Sequence, residues 1–138
     1  MKMFFQLQKI DEKTGIVSGR AVEEVLDHAG EIFDYAKSKP HFEAWSQNIS
    51  KATDGKSVGN VRAMHGKVAA GKLTDIVFND AEKAIDVTAK IVDPVEKAKL
   101  LDGVYTGFSI GGSYVTKWED PVHKGVMRYE AEPSEISI

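Results

Sequence analysis

Tyr105-Thr-Gly-Phe-Ser-Ile-Gly-Gly-Ser-Tyr114 is the stretch on which the fold turns. Taken as a strand, its side chains alternate between two faces. Thr106, Phe108, Ile110 and Tyr114 then point toward a core, while Tyr105, Gly107, Ser109, Gly111 and Ser113 point the other way. Ser109 stands between glycines on its own face, with no neighbouring side chain along the strand to block approach. Glycine inside a strand costs backbone entropy and packing, and it marks a bulge or the close approach of another backbone. A hydroxyl that an extended peptide can reach is what a serine nucleophile needs. The same pattern also describes a glycine-kinked core strand carrying an ordinary surface serine, and a short motif alone does not separate the two.

The flanking chain supplies partners for such a strand. Phe4 to Ile10 alternates as a strand, Asp11-Glu-Lys-Thr-Gly15 reads as a hairpin turn, and Ile16 to Val22 is the returning strand, with Gly19 a candidate bulge. Ala29 to Lys37 has the charge and alanine content of a short helix. Pro40 suits the first turn of a second one carrying Phe42, Trp45 and Ile49 on one stripe. Lys51 to Gly59 is a polar loop. Val61-Arg-Ala-Met-His65 is a candidate strand ended by Gly66, and Leu73 to Phe78 and Ala84 to Val92 are two more. Asp93 as N-cap, Pro94 in the first turn and Gly103 as stop bracket a helix over Val95 to Leu101. Glu119 to Gly125 is a turn, Val126 to Glu130 a strand, and Ser134 to Ile138 a further strand that stops on an apolar residue. That ending is expected of a truncated or processed chain. The pattern predicts an α+β, mostly β domain: a small β-barrel or sandwich with helices packed outside.

Composition narrows the functional classes. With 138 residues and 42% hydrophobic content, the chain is read as one domain (1–138) with a real core. Its 18 basic and 21 acidic residues give a net charge of -3, and no basic stripe suggests nucleic acid as a partner. There are no cysteines, which excludes disulfides, thiolate metal sites and cysteine nucleophiles. No apolar run approaches the ~18 residues of a membrane span, and the N-terminus turns polar too quickly for a secretory signal. A cytoplasmic protein without a membrane partner is expected.

Gly107-Phe-Ser-Ile-Gly111 fits the Gly-x-Ser-x-Gly pattern, but Ile110-Gly-Gly-Ser-Tyr is a poor helix start, so the strand–serine–helix elbow of α/β-hydrolases fits badly. Among the histidines, His28 and His41 read as solvent-exposed, and His123 lies in a charged turn. His65, ending a strand next to a glycine, is the best-placed general base for Ser109, since a neutral imidazole can take a hydroxyl proton near pH 7. A carboxylate should orient that imidazole. If Ile136 and Ile138 face the core, Glu135 and Ser137 share the face on which Ser109 stands. This parity favours Glu135, with Glu132 and Glu130 the other acids of that segment and Glu132 a live second choice. No metal site is suggested, because the histidines are scattered and no paired spacing appears. No cofactor is implied.

Val61-Arg-Ala-Met-His-Gly66, Gly103-Val-Tyr-Thr-Gly-Phe-Ser-Ile-Gly-Gly112 and Glu132-Pro-Ser-Glu-Ile-Ser-Ile138 together resemble, in order and spacing, the tailed-phage prohead maturation proteases. These are serine peptidases akin to herpesvirus assemblins. The similarity runs from Gln8 through Ile138. It implies a herpesvirus-protease-like fold, a small β-barrel of roughly seven strands ringed by helices. It implies Ser109 as nucleophile, His65 as general base, and Glu135 as third member of a Ser-His-Glu triad, with Glu132 the alternative. Assemblins have a second histidine as third member, and none stands at the matching C-terminal strand here. The backbone N–H groups of Ile110 and Gly111 are the candidate oxyanion donors, each worth ~3 kcal/mol in known serine proteases. The implied substrates are capsid-protein and scaffold segments, and the protease itself, inside the assembling prohead in the host cytoplasm. A homodimer or higher oligomer is among the implied assemblies. The rival reading is a non-catalytic phage assembly or scaffolding module with the same β-barrel. The two divide on geometry, because a protease needs the Ser109 hydroxyl within reach of a His65 ring nitrogen.

Overall fold

Alternating apolar side chains become strands wherever a turn residue lets the chain reverse. The computed structural model describes Met1 and residues 3–138. β1 (Phe5–Asp11) and β2 (Ile16–Glu23) form the expected hairpin, closed by Gly15 at φ +71. β3 (Glu31–Phe33) leads into α1 (Tyr35–Ala52), and β4 (Asn60–Arg62), β5 (Ala69–Asn79) and β6 (Ala84–Ile91) follow. After α2 (Pro94–Leu101) come the two long strands β7 (Gly107–Glu119) and β8 (Met127–Ser137). The result is mixed but mostly strand, as expected.

Neighbours in space run β8, β4, β5, β6, β2, β1, β7, and β7 pairs back onto β8, so these seven strands close a hydrogen-bonded ring. β3 flanks β8 in parallel. The β1–β7 contact is the short one, with Phe5 opposite Phe108 and Gln6 opposite Gly107. Closing the ring pairs strand edges that would otherwise recruit other chains. Val17, Val61, Leu73, Ile85, Phe108 and Ile136 are fully buried in one contiguous core. Each such side chain contributes about 1.5–3 kcal/mol by leaving water. α1 adds Phe42, whose ring meets Phe33 edge-on at 5.7 Å, and Phe33 in turn meets Tyr129 at 5.8 Å.

Several expectations are corrected. Ala29 to Lys37 is not a helix: the Asp27 carboxylate accepts from the N–H groups of Ala29 and Glu31, Gly30 turns at φ +75, and β3 follows. Asp34, accepting from Lys37 N at 3.0 Å, caps a single helix that runs through Pro40. Pro40 has no N–H to donate, so α1 forgoes one bond. Its buried face, with Ser38 accepting from Ala131 N and Ser46 donating to Val58 O, holds it in place.

The two C-terminal strands are also one. Ala131 turns its N–H to Ser38 rather than to β7, so Pro133, two residues on, also points its nitrogen away from β7 and breaks no bond of that ladder. On β7, strand structure starts only at Gly107, which leaves Tyr105 buried with its hydroxyl on Glu96 and Thr106 exposed, the reverse of simple alternation. Tyr114 reaches the Tyr129 ring at 5.3 Å but stays 43% exposed, so it roofs the core rather than joining it. Two helices accompany the strands among the described residues, α1 against β8 and α2 beside β6.

Candidate active site

The site is built by the register of β7 on β8. Ser109 lies opposite Ser137 and Gly111 opposite Glu135, so the side chains of Ser109, Ser137 and Glu135 share one face. Phe108 and Ile110 point into the core from the other face, as do Ile136 and Ile138. Keeping both sets in place requires an extra residue on β8. The register steps from Gly111–Glu135 to Gly112–Pro133, leaving Ser134 as the bulge, with its hydroxyl on Gly111 O at 3.2 Å. Without that bulge, either Tyr129 and Ala131 or Ile136 and Ile138 would leave the core.

Gly111 has a steric reason to be glycine. A Cβ there would lie 1.9 Å from Glu135 Oε1 and 3.1 Å from His65 Nδ1. The bare backbone lets the Glu135 carboxylate lie across β7 beneath the imidazole.

His65 reaches this face from a turn, not from the end of a strand. β4 stops at Arg62, and Met64 and His65 both take left-handed backbone conformations, φ 51 and 56. Non-glycine residues hold that conformation at a cost of about 1–3 kcal/mol each, and only where the surroundings fix it. Here Met64 N donates to Ile138 O at 2.9 Å, His65 N to Ser137 Oγ at 2.8 Å, and Gly66 N to Ala63 O at 2.8 Å. The turn is pinned to the end of β8, and the ring swings over Ser109.

The resulting hydrogen bonds form a chain. Ser109 Oγ lies 2.5 Å from His65 Nε2, and His65 Nδ1 lies 2.5 Å from Glu135 Oε1. Ser137 donates its hydroxyl to Glu135 Oε2 at 2.6 Å. An ionised carboxylate only accepts, so Nδ1 carries the proton in a neutral ring and Nε2 is left to accept from Ser109. Glu135 is sunk in the protein with its side chain 4% exposed, whereas that of His65 is 47% exposed. The acid is shielded from water while the imidazole and serine face it. Such an arrangement can move a proton off a hydroxyl and stabilise the imidazolium that forms.

Ser109, His65 and Glu135 are therefore brought together, and Glu132 is not: it stands exposed opposite Ser113, beyond the bulge. The two backbone candidates for an oxyanion also separate. Ile138 N bonds Arg62 O on β4, so alternation directs Glu135 and Ser137 toward β7 and engages the N–H of Ser109 and Gly111 in the β7–β8 ladder. The N–H of Ile110 points away from β8, on the side where β1 pairs with β7 only at Gly107 and Phe108. Geometry favours Ile110 over Gly111 as a donor to a ligand.

Ser137 is the residue of this candidate site that motif reasoning passed over. It both orders the carboxylate and holds the histidine turn, and its parity with Glu135 is the signal that could have found it. His41 is corrected from exposed to half-buried, with Nε2 on Glu130 at 2.6 Å, and His123 sits on Asp120 at 2.9 Å. His28 is exposed and lines an apolar cavity of about 430 Å³ beside Ser109. A second, more polar cavity of about 360 Å³ lies on the other side of His65, along Arg62, Gly111, Gly112 and Ser134. Met1 reaches both, and its ammonium contacts Glu31, the Tyr114 hydroxyl at 2.7 Å and Asp27 at 3.4 Å.

Burial pushes the Glu31 carboxyl up, but hydrogen bonds from Lys117, the Met1 ammonium and Tyr114 outweigh it and bring it down to about 2. Among the described residues, no group of three or more His, Asp or Glu could hold a metal ion, and no helix is long and apolar enough to cross a membrane. Comparison of the chain with protein-family models, curated proteins and solved structures yields no match.

Proposed function

We propose that this chain is a serine endopeptidase acting through an acyl-enzyme, with Ser109 as nucleophile, His65 as general base and acid, and Glu135 as the group that orients and stabilises the imidazole. The observation that carries the reading is the unbroken hydrogen-bonded run from the buried Glu135 through His65 to the half-buried Ser109 hydroxyl. In the reaction, Ser109 Oγ adds to a peptide carbonyl carbon as its proton passes to His65 Nε2. The tetrahedral oxyanion is met by the Ile110 N–H. The carbon–nitrogen bond then breaks as the same proton moves to the leaving amine, leaving an ester on Ser109. Water, deprotonated by the imidazole, resolves that ester.

The closed strand ring with its flanking helices is consistent with the small β-barrel that the resemblance to prohead maturation proteases implies. We read the substrates accordingly as capsid or scaffold segments, and the enzyme's own chain, within an assembling phage shell. The test is co-expression with the neighbouring capsid protein, as wild type and as Ser109→Ala, with products read by intact mass, alongside labelling of the purified protein by a fluorophosphonate. Cleavage and a covalent adduct on Ser109, both lost in the alanine variant, are expected. Identical cleavage in both proteins would move the nucleophile elsewhere, and absence of cleavage and adduct in the wild type would leave only the assembly-module reading.

A further inference from the structure

The two cavities that flank His65 differ in chemistry, and the difference bears on what Ser109 accepts. On the Gly111 side the walls are Arg62, Ser134, Glu135 and glycine backbone, with Met1, Ile110 and Tyr114 at their edges. On the Gly107 side they are Met3, Phe4, Met64 and Ile138, with His28 and Met1, whose ammonium is held by Glu31, the polar exceptions outside the hydrogen-bonded run itself. Phe4 and Met64 are 56% and 74% exposed although both border a nucleophile. Phe4 is also placed deliberately: a Cβ on Gly107 would lie 2.4 Å from the Phe4 ring and 2.4 Å from Phe5 O, so the strand must be bare for the ring to lie along it. Met64 is projected over the same space by its left-handed backbone, which Ile138 O holds through the Met64 N–H.

We infer that this cavity is a specificity subsite that takes an apolar side chain of the residue beside the scissile bond, with Phe4 and Met64 setting its width. The inference rests on the catalytic reading of Ser109 and names the substrate class: peptides or esters carrying a medium or large aliphatic group next to the reacting carbonyl, rather than a charged one. Flexible methionine side chains adapt to several shapes, so the subsite selects for apolar character more than for one residue.

The test is the rate of covalent labelling of the full chain by phosphonofluoridates whose alkyl group on phosphorus runs from methyl through butyl to octyl. Phosphorus is attacked by the serine oxygen and fluoride leaves, so a mass adduct reports Ser109 alone, and Ser109→Ala is the blank. In the wild type the rate is expected to rise up to about three- to fourfold per methylene while the chain is being buried, then level off as the cavity fills. Phe4→Ser and Met64→Asn, the latter chosen because asparagine tolerates a left-handed backbone, are expected to lower the butyl-to-methyl rate ratio at least about fivefold. Val122→Ser, at a remote site 80% exposed, keeps the wild-type ratio.

A wild-type series that labels Ser109 at a rate independent of chain length overturns the subsite while leaving the nucleophile standing. A wild type that no member of the series labels overturns the catalytic reading and the subsite with it. The wild-type series decides the matter even if a variant fails to fold.

Discussion

Among the described residues, three histidines sit on carboxylates at similar distances, and only one of those rings also meets a serine hydroxyl. His65 and Glu135 are 2.5 Å apart, His41 and Glu130 2.6 Å, His123 and Asp120 2.9 Å. At His41 the neighbouring hydroxyl, that of Thr116, bonds the carboxylate at 3.3 Å instead of the ring. At His123 the acid is spent on structure. Its backbone bond from His123 N–H, with the His123 ring, Arg128 and Val122 N–H adding to it against burial, holds its carboxyl down to about 2. Among the described residues, only His65 has an acid on one ring nitrogen and a serine hydroxyl on the other. A histidine–carboxylate contact is thus cheap to make, and strand register is what adds the hydroxyl at the second nitrogen.

That contrast can be broken by substitution. Glu135→Gln should lower kcat by about 10⁴-fold, as loss of the orienting acid does in known triads, while Glu130→Gln leaves kcat within about twofold of wild type; steady-state hydrolysis of an apolar ester measures both. Gly111→Ala places a methyl group where the carboxylate lies and should cost about 1–3 kcal/mol of stability with a drop of about 10²-fold in kcat/KM. Thermal melts read beside the kinetics would show whether the acid or the backbone gives way.

The smallest effect is a pH effect on stability. The Glu31 carboxyl titrates near 2 in the folded chain against an ordinary 4.5. Its contribution is therefore complete above about 4.5 and is lost as the unfolded chain takes up the proton first, between about 4.5 and 2. Over that window Tm should fall at least about 4 °C more in the wild type than in Glu31→Gln. Equal slopes in the two proteins would mean that the ammonium and Lys117 contacts contribute nothing.

Much of this site could be read from local alternation. Phe108 and Ile110 against Ser109, and Ile136 and Ile138 against Glu135, are period-two patterns, and they place Ser109 and Glu135 on one face from the sequence alone. The Asp93-Pro94 helix start and the Asp11–Gly15 hairpin were likewise spelled out by capping and turn residues. What escaped was set by distant partners. Val126 to Glu130 and Ser134 to Ile138 read as two strands because the sequence does not show that Ala131 bonds to Ser38 and not to β7. Pro40 looked like a helix start because the stronger cap, Asp34, follows a strand only three residues long. The left-handed turn at Met64 and His65 depends on Ser137 and Ile138, and the apolar cavity on an N-terminal phenylalanine lying along Gly107. Neither relation leaves a mark on a local window.

The hydrogen bonds of the site span 44 residues from His65 to Ser109 and 70 from His65 to Glu135. No fragment emerging from a ribosome can hold them until the β8 residues have cleared the exit tunnel and β7 has paired with them. At about 5–20 residues per second, Ser109 waits at least about a second after its own synthesis for the β8 residues that hold the His65 turn. The Ser109 hydroxyl meets the His65 ring only once the ring of strands has closed. On the proposed reading of Ser109, the onset of its labelling doubles as a clock for the completion of folding.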